Sequence, residues 1–496
     1  MSRNRSRRGV TGVAGLAVIA ACIQCGGTSQ PGAPAGPTAS PAVDAGSTPT
    51  FPAGPAAQWS DVLGEGTVTA GPVAVAPDGS ASIAATLSGL ATVGSSTVGA
   101  GGGMDVLLAR VDAGGEVLWA HAYGDAADQS PHGAVVDAQG NTIVVGTFAG
   151  TLDFTSSQAV LQSVSIPVGR PSGPAAAPLK AFGTTDAFVA KIDPKGNLLW
   201  ATQLGGAGAS AQAQAVAIGP HGEVAVTGTF DGRGTVQTSV LDSGGAIEGF
   251  AMLLGSTGSV KWVRELAGTK PAAGTAIAMD QFSNTLVAGT FAGFFDLDDG
   301  ALDTFGGTDV FVAELDVYGN TLWSQGLGSR GNDRANGVAF DPSGNGVLLA
   351  SLVGSPEVAA LSKYDPFGNV LWSHGYGGQG GAVAGDALAI DSQGTIYVAG
   401  DFRAPFDFGS CSFTTSDTTF GSAFIGVVSP DGQASCGREY GSGQETRFHS
   451  LAAHPAGGLL LSGNFVGTLD FGQGPITATT DTAFVARAVP EAMPNQ

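Results

Sequence analysis

Seven positions of the 496-residue chain share one local setting, at the start of a short apolar run: Gly71, His132, Gln214, Thr275, Asn336, Asp386 and His449. Six of the seven are polar. Brought to one place they would supply imidazoles, amides, a hydroxyl and a carboxylate, a set able to hold a polar ligand or an ion. His132, Asp386 and His449 could also move protons for a hydrolase or a lyase. The same side chains can equally cap strand ends and bond water. The other histidines, His121, His221, His374 and His454, stand in no H-x-H or H-E-x-x-H pattern, so no metal site is expected. Asp296, Asp298, Asp299 and Asp303 crowd one stretch, but their spacing departs from that of an EF-hand loop and reads as an acidic solvated loop. There is no G-x-S-x-G elbow and no phosphate-binding loop.

Cys411 and Cys436 are the thiols of the folded part, 25 residues apart. An oxidising compartment permits a disulfide between them, while Cys436 can also serve as an apolar filler.

What must position the seven candidates is a repeat. Six tryptophans open similar phrases: Trp59-Ser-Asp-Val-Leu-Gly64, Trp119-Ala-His-Ala-Tyr-Gly124, Trp200-Ala-Thr-Gln-Leu-Gly205, Trp262-Val-Arg-Glu-Leu-Ala267, Trp323-Ser-Gln-Gly-Leu-Gly328 and Trp372-Ser-His-Gly-Tyr-Gly377. A seventh, Cys436-Gly-Arg-Glu-Tyr-Gly441, has Cys in the Trp place. Each full unit carries four short strand signals, A to D, rich in alternating or β-branched residues. Tight turns join A to B (Asp341-Pro-Ser-Gly-Asn345) and C to D (Asp193-Pro-Lys-Gly-Asn197).

Four antiparallel strands recurring every ~60 residues specify an all-β, seven-bladed β-propeller. Trp59–Gly64 is a D strand without a preceding C, and Thr482–Ala488 is a C strand without a following D. The N-terminal strand is therefore expected to complete the last blade, Trp59–Leu63 pairing with Ala483–Arg487 and removing an open edge. The propeller spans 58–488, with 489–496 as a tail. The candidate ring falls at one mouth of the central channel, on the face carrying the long B–C and D–A connections. The tight-turn face is expected to be uniform, with little concavity.

The phrases Gly183-Thr-Thr-Asp-Ala-Phe-Val-Ala-Lys-Ile-Asp-Pro-Lys-Gly-Asn-Leu-Leu-Trp200 and Gly146-Thr-Phe-Ala-Gly-Thr-Leu-Asp-Phe154 resemble the bacterial SBBP β-propeller repeats of secreted and lipid-anchored surface proteins, many of them myxobacterial. The resemblance covers nearly all of 58–488. It implies the propeller fold and no particular activity, because the family has no shared catalytic residues to carry over.

The N-terminus gives an address. Arg3, Arg5, Arg7 and Arg8 precede a 12-residue apolar run, Val10–Ala21, too short to span a bilayer. Ile19-Ala-Ala-Cys22 resembles a bacterial lipoprotein signal, which implies cleavage before Cys22 and acylation of its sulfur. Residues 1–22 are thus a signal, and 23–57, rich in Pro, Ala, Gly and Ser, a tether that could reach ~100 Å. The implied localisation is the outer membrane or cell surface, with a membrane partner through the lipid on Cys22.

Charge narrows the partners. Twenty Lys+Arg against 41 Asp+Glu give a net −21, which argues against nucleic acid and against electrostatic docking on anionic lipid. With no nucleophile–base pair and no cofactor motif, the expectation is a binding or scaffold module that is not an enzyme and carries no cofactor. Its expected partner is an unknown protein or glycan on the long-loop face. The alternative is a propeller enzyme, a hydrolase, lyase or cofactor-dependent oxidoreductase, working at the channel mouth.

Overall fold

The computed structural model describes residues 59–156, 177–377, 382–414, 421–441, 445–472 and 474–488. Cys22 and the signal and tether around it lie outside the described residues, as do 489–496 and part of the blade 2 B–C connection.

Seven four-stranded antiparallel sheets, each in the order A-B-C-D, follow one another. Blade 1 runs A Val68–Val75, B Ala81–Leu87, C Asp105–Val111 and D Val117–Tyr123. Strand A of every blade neighbours strand A of the next, and that of blade 7 (Thr446–Ala453) returns to that of blade 1, so the circle closes. Blade 7 takes its D strand from the chain start: Trp59 pairs with Arg487, Ser60 with Ala486 and Val62 with Phe484. This is the expected closure.

The tight turns are built on one local pattern. In Asp193-Pro-Lys-Gly-Asn197 the Asp193 carboxylate accepts the amides of Lys195 and Asn197, both at 2.8 Å, and the side-chain amide of Asn197 at 2.9 Å. The glycine takes φ +85°. At the equivalent turn of blade 5, Gly368 is needed for a second reason: a Cβ there would lie 2.6 Å from the Trp323 ring of the preceding blade. The repeated Trp and the repeated turn glycine are therefore two halves of one blade-to-blade contact. Trp119, Trp200 and Trp262 add an indole N–H bond to the next blade's turn, at 2.9, 3.0 and 3.1 Å.

The core is divided among the junctions. Seven buried apolar clusters occur, one between each pair of neighbouring blades. Strand C is covered on both faces and is buried along its whole length in blades 1, 2 and 6, so its sequence does not alternate.

The B–C connections are not free loops. In blade 3, strands B (Val224–Val236) and C (Ser239–Leu254) extend as a continuous ribbon, and blades 4 and 7 do the same. Blades 1 and 6 carry small extra hairpins, Leu90–Val93/Ser96–Gly99 and Phe406–Phe408/Cys411–Phe413. Their apolar residues cap the junction with the preceding blade: Val93 at 7–1, Leu152 at 1–2, Leu241 at 2–3, Phe295 at 3–4, Phe408 at 5–6 and Leu469 at 6–7. Blade 5 alone passes from B (Gly346–Leu352) to C (Val358–Tyr364) by a short turn, and its junction with blade 4 has the smallest cluster.

Candidate functional site

The seven aligned residues share a backbone feature. Each lies at a register shift in strand A where one residue, or two at Gly71-Pro72, bulges from the ladder with strand B. A bulge re-aims the side chain it carries. Strand B makes room with glycine: a Cβ at Gly400 would lie 2.0 Å from the Ala384 carbonyl oxygen. A glycine stands at this place in five blades, as Gly-Thr-Phe in blades 2, 3 and 4, Gly400-Asp-Phe in blade 6 and Gly463-Asn-Phe in blade 7, and alanine (Ala85, Ala350) in blades 1 and 5.

Three of the six polar candidates tie blades together. His132 Nδ1 donates to the Ala213 carbonyl of blade 3 at 2.9 Å, which fixes its tautomer, and burial lowers its pKa. Thr275 Oγ1 donates to the Ala335 carbonyl at 2.8 Å, and Asn336 Nδ2 to the Gly385 carbonyl. Gln214 turns to Gln212 on its own strand, at 3.0 Å. A second ring, missed in the sequence, lies on strand B: Thr86, Thr147, Thr229, Thr290, Ser351, Asp401 and Asn464, each just after the glycine phrase or its equivalent. Thr86 bonds Ser130 of blade 2 at 2.9 Å, and Asn464 accepts the Ala70 amide of blade 1 at 2.9 Å.

Blade 6 breaks the pattern. Asp386 on strand A lies near Asp401 on the paired strand B, whose charge acts on it. Burial first, and then the Asp401 charge, push Asp386 up to about 7, against the opposing pull of Arg334 and Arg447. Asp401 is also raised, mainly by burial, with Arg403 opposing. Arg334 comes from blade 5 and is held by Glu357 at 3.0 Å; Arg447 comes from blade 7 and is held by Glu445 at 2.5 Å. The charges acting on His449 are Arg447 and Asp481, and its pKa is lowered by burial in the channel wall and by Arg447. Of the trio read from the sequence, His132 is engaged at the junction of blades 2 and 3, while Asp386 and His449 have Arg447 as a common charged neighbour.

The acidic stretch of blade 4 is a ribbon tip secured by its own contacts: Arg264 reaches Asp298 at 2.8 Å and Ser324 reaches Asp299 at 2.8 Å. Among the described residues no three His, Cys, Asp or Glu side chains are grouped to hold a metal. Cys411 is disulfide-bonded, and its hairpin lies against the strand Ala434–Tyr440 that contains Cys436, whose side chain lies outside the described residues.

The tight-turn face is not flat. A cavity of about 990 Å³ opens there, lined by the ends of A strands (Val75, Val136, Ile218, Met279) and by turn residues such as Pro220 and Gln281. A second, of about 340 Å³, shares Met279, Asp280 and Gln281 and continues to Pro342 and Asp391. Proline-bearing turns leave the A-strand ends recessed, so the expectation of little concavity at this end is corrected.

No protein-family profile matches the chain. A WD repeat-containing protein of Acanthamoeba polyphaga mimivirus is 25% identical over 206 residues, covering 35% of this chain and 15% of that protein. Among solved structures, the periplasmic gluconolactonase of Pseudomonas aeruginosa gives a TM-score of 0.43 at 12% identity, covering 79% of this chain and 97% of that one. Puromycin hydrolase gives 0.42 at 14% identity, covering 81% of this chain and 51% of that one. The chain thus spans about half of that hydrolase and a small part of the viral relative. These likenesses go no further than the propeller fold. They do correct one expectation: propellers that are enzymes stand among the similar structures, so the expectation that this chain is not an enzyme is not supported.

Proposed function

We propose that the protein is an exported propeller of the SBBP-repeat kind, anchored by lipid on Cys22, that binds a ligand at the long-loop mouth of its channel on blades 5 to 7. The observation that carries the reading is the change of role at the ring. Where His132, Thr275 and Asn336 join one blade to the next, blade 6 supplies Asp386, with Asp401 beside it and a guanidinium from each flanking blade. Half-buried carboxylates that repel each other cost stability. Such a cost is retained where a site needs it. Blade 5, with no B–C insert, leaves this part of the mouth open.

A second reading has its own support. A carboxyl group poised near 7 beside another acid suits general acid–base chemistry, so a hydrolytic activity at Asp386 is the alternative. The double variant Asp386→Asn/Asp401→Asn separates the site from the scaffold. On either reading it loses ligand capture or turnover at least tenfold while thermal stability is kept. Lipid labelling lost in Cys22→Ser, with release from the membrane fraction, tests the anchor. Labelling that persists in Cys22→Ser would remove it.

A further inference from the structure

Three aromatic side chains stand almost fully out of the tight-turn face: Phe282, Tyr318 and Phe367 are 71%, 78% and 82% exposed. All three occupy the same place, the third residue of the Asp-x-x-Gly-Asn type of turn. Their amides are held identically, each donating at 2.8 Å to the turn aspartate, Asp280, Asp316 or Asp365. The residue that follows each is in the left-handed region, Ser283 at φ +65°, Gly319 at +85° and Gly368 at +80°. The turn itself makes no use of the side chain at this place. Elsewhere it is Gln139, Lys195, Thr257 or Gln393. The aromatic choices are confined to two adjacent blades, 4 and 5, and the fold does not explain them.

The surroundings specify the occupant. The rings are separate, on turns of the same backbone geometry, and do not form a continuous apolar face of the kind a protein interface core uses. The neighbouring 340 Å³ cavity presents the Gln281 side chain, while its Asp280, Asp341 and Asp391 carboxylates are held by their own turns and Asp341 also by Lys363, in a protein of net charge −21. That setting repels anions. Aromatic faces carry partial negative charge and attract the weakly positive C–H face of a sugar ring, while a side-chain amide such as that of Gln281 both donates to and accepts from hydroxyls.

We propose that Phe282, Tyr318 and Phe367 form a stacking platform for a neutral polysaccharide on the tight-turn face of blades 4 and 5. The site is independent of the Asp386 mouth on the opposite face. The test is co-sedimentation of the full chain with cellulose, chitin and curdlan particles. Wild type is expected to be depleted by at least one of the three, and Phe282→Ala/Tyr318→Ala/Phe367→Ala at least tenfold less, with the melting temperature unchanged because the rings are exposed. Phe282→Tyr/Phe367→Tyr should retain binding, and so should Asp386→Asn/Asp401→Asn. Failure of wild type to bind any of the three, or equal binding by the triple variant, overturns the proposal. Retention by a protein partner in place of the polysaccharides would also overturn it.

Discussion

The junction between blades 7 and 1 and the junction between blades 4 and 5 are opposites. The first borders the blade in which the chain is broken, between its C strand and the D strand from the chain start, and it is the more heavily fastened. The hairpin at Leu90–Gly99 caps it, Trp59 lies on Gly115, and Ser450, Ser462 and Asn464 of blade 7 bond Val73, Gly71 and Ala70 of blade 1 at 3.2, 2.6 and 2.9 Å. The second has no cap and the smallest buried cluster. It also holds an electrostatic fault. Where Lys191 meets Asp137 at 2.8 Å in blade 2, and Lys363 meets Asp341 at 2.7 Å in blade 5, blade 4 sets Glu314 against Asp280. Trp323 turns inward to donate to Glu314 at 2.9 Å and gives up the bond to the next blade's turn that Trp119, Trp200 and Trp262 make. Closure of a propeller is therefore not the same as uniform stability. The blade left uncapped is the one beside which both candidate surfaces lie.

The largest expected effect is at the fastened junction. Deleting 59–65 removes an edge strand, buried Leu63 and a packed indole, and should cost more than ~5 kcal/mol in denaturant unfolding. A loss below ~1 kcal/mol would mean the closing strand contributes little.

At the uncapped junction the effect depends on pH. Burial, with Asp280 adding to it, pushes Glu314 up to about 7 from an ordinary 4.5. The folded state then binds more protons than the unfolded state between those values. Its stabilising contribution is full below about 4.5 and is lost as pH rises through 7. Glu314→Gln should abolish that decline and gain a few kcal/mol at pH 8, measured by melts across pH 5–8. A parallel decline in wild type and variant would contradict the assignment.

A smaller effect separates the ring's two roles. His132→Ala leaves the Ala213 carbonyl without its donor and should cost ~1–2 kcal/mol. Asp386→Asn should cost nothing at pH 5 and gain ~1 kcal/mol or more at pH 8, because burial and then the Asp401 charge oppose the ionised carboxylate. The smallest effect is in a turn: Ser283→Gly relieves a left-handed serine and should gain ~1 kcal/mol or less.

The sequence carried the blades, the closing strand and the packing of the tryptophans, because each is a short-range pattern repeated many times. It also carried the positions of the ring, but not their roles. A bulge residue looks the same in sequence whether it reaches the next blade's carbonyl, as His132 does, or faces another acid, as Asp386 does. The partner comes from a strand some 15 to 80 residues away. The B–C inserts read as loops because the chain does not repeat them, yet Val93, Phe295 and Leu469 are buried as caps. Glu314 stands where blades 2 and 5 have lysine, a contrast that the aligned strands contained but that only burial makes significant.

On the proposed function, the acid pair of blade 6 is a binding site at the open part of the mouth. The most direct test is native mass spectrometry of the full chain and of Asp386→Asn/Asp401→Asn after incubation with an envelope extract. The account predicts a species retained by wild type and lost from the variant at equal folded fraction. The same species retained by both would contradict it.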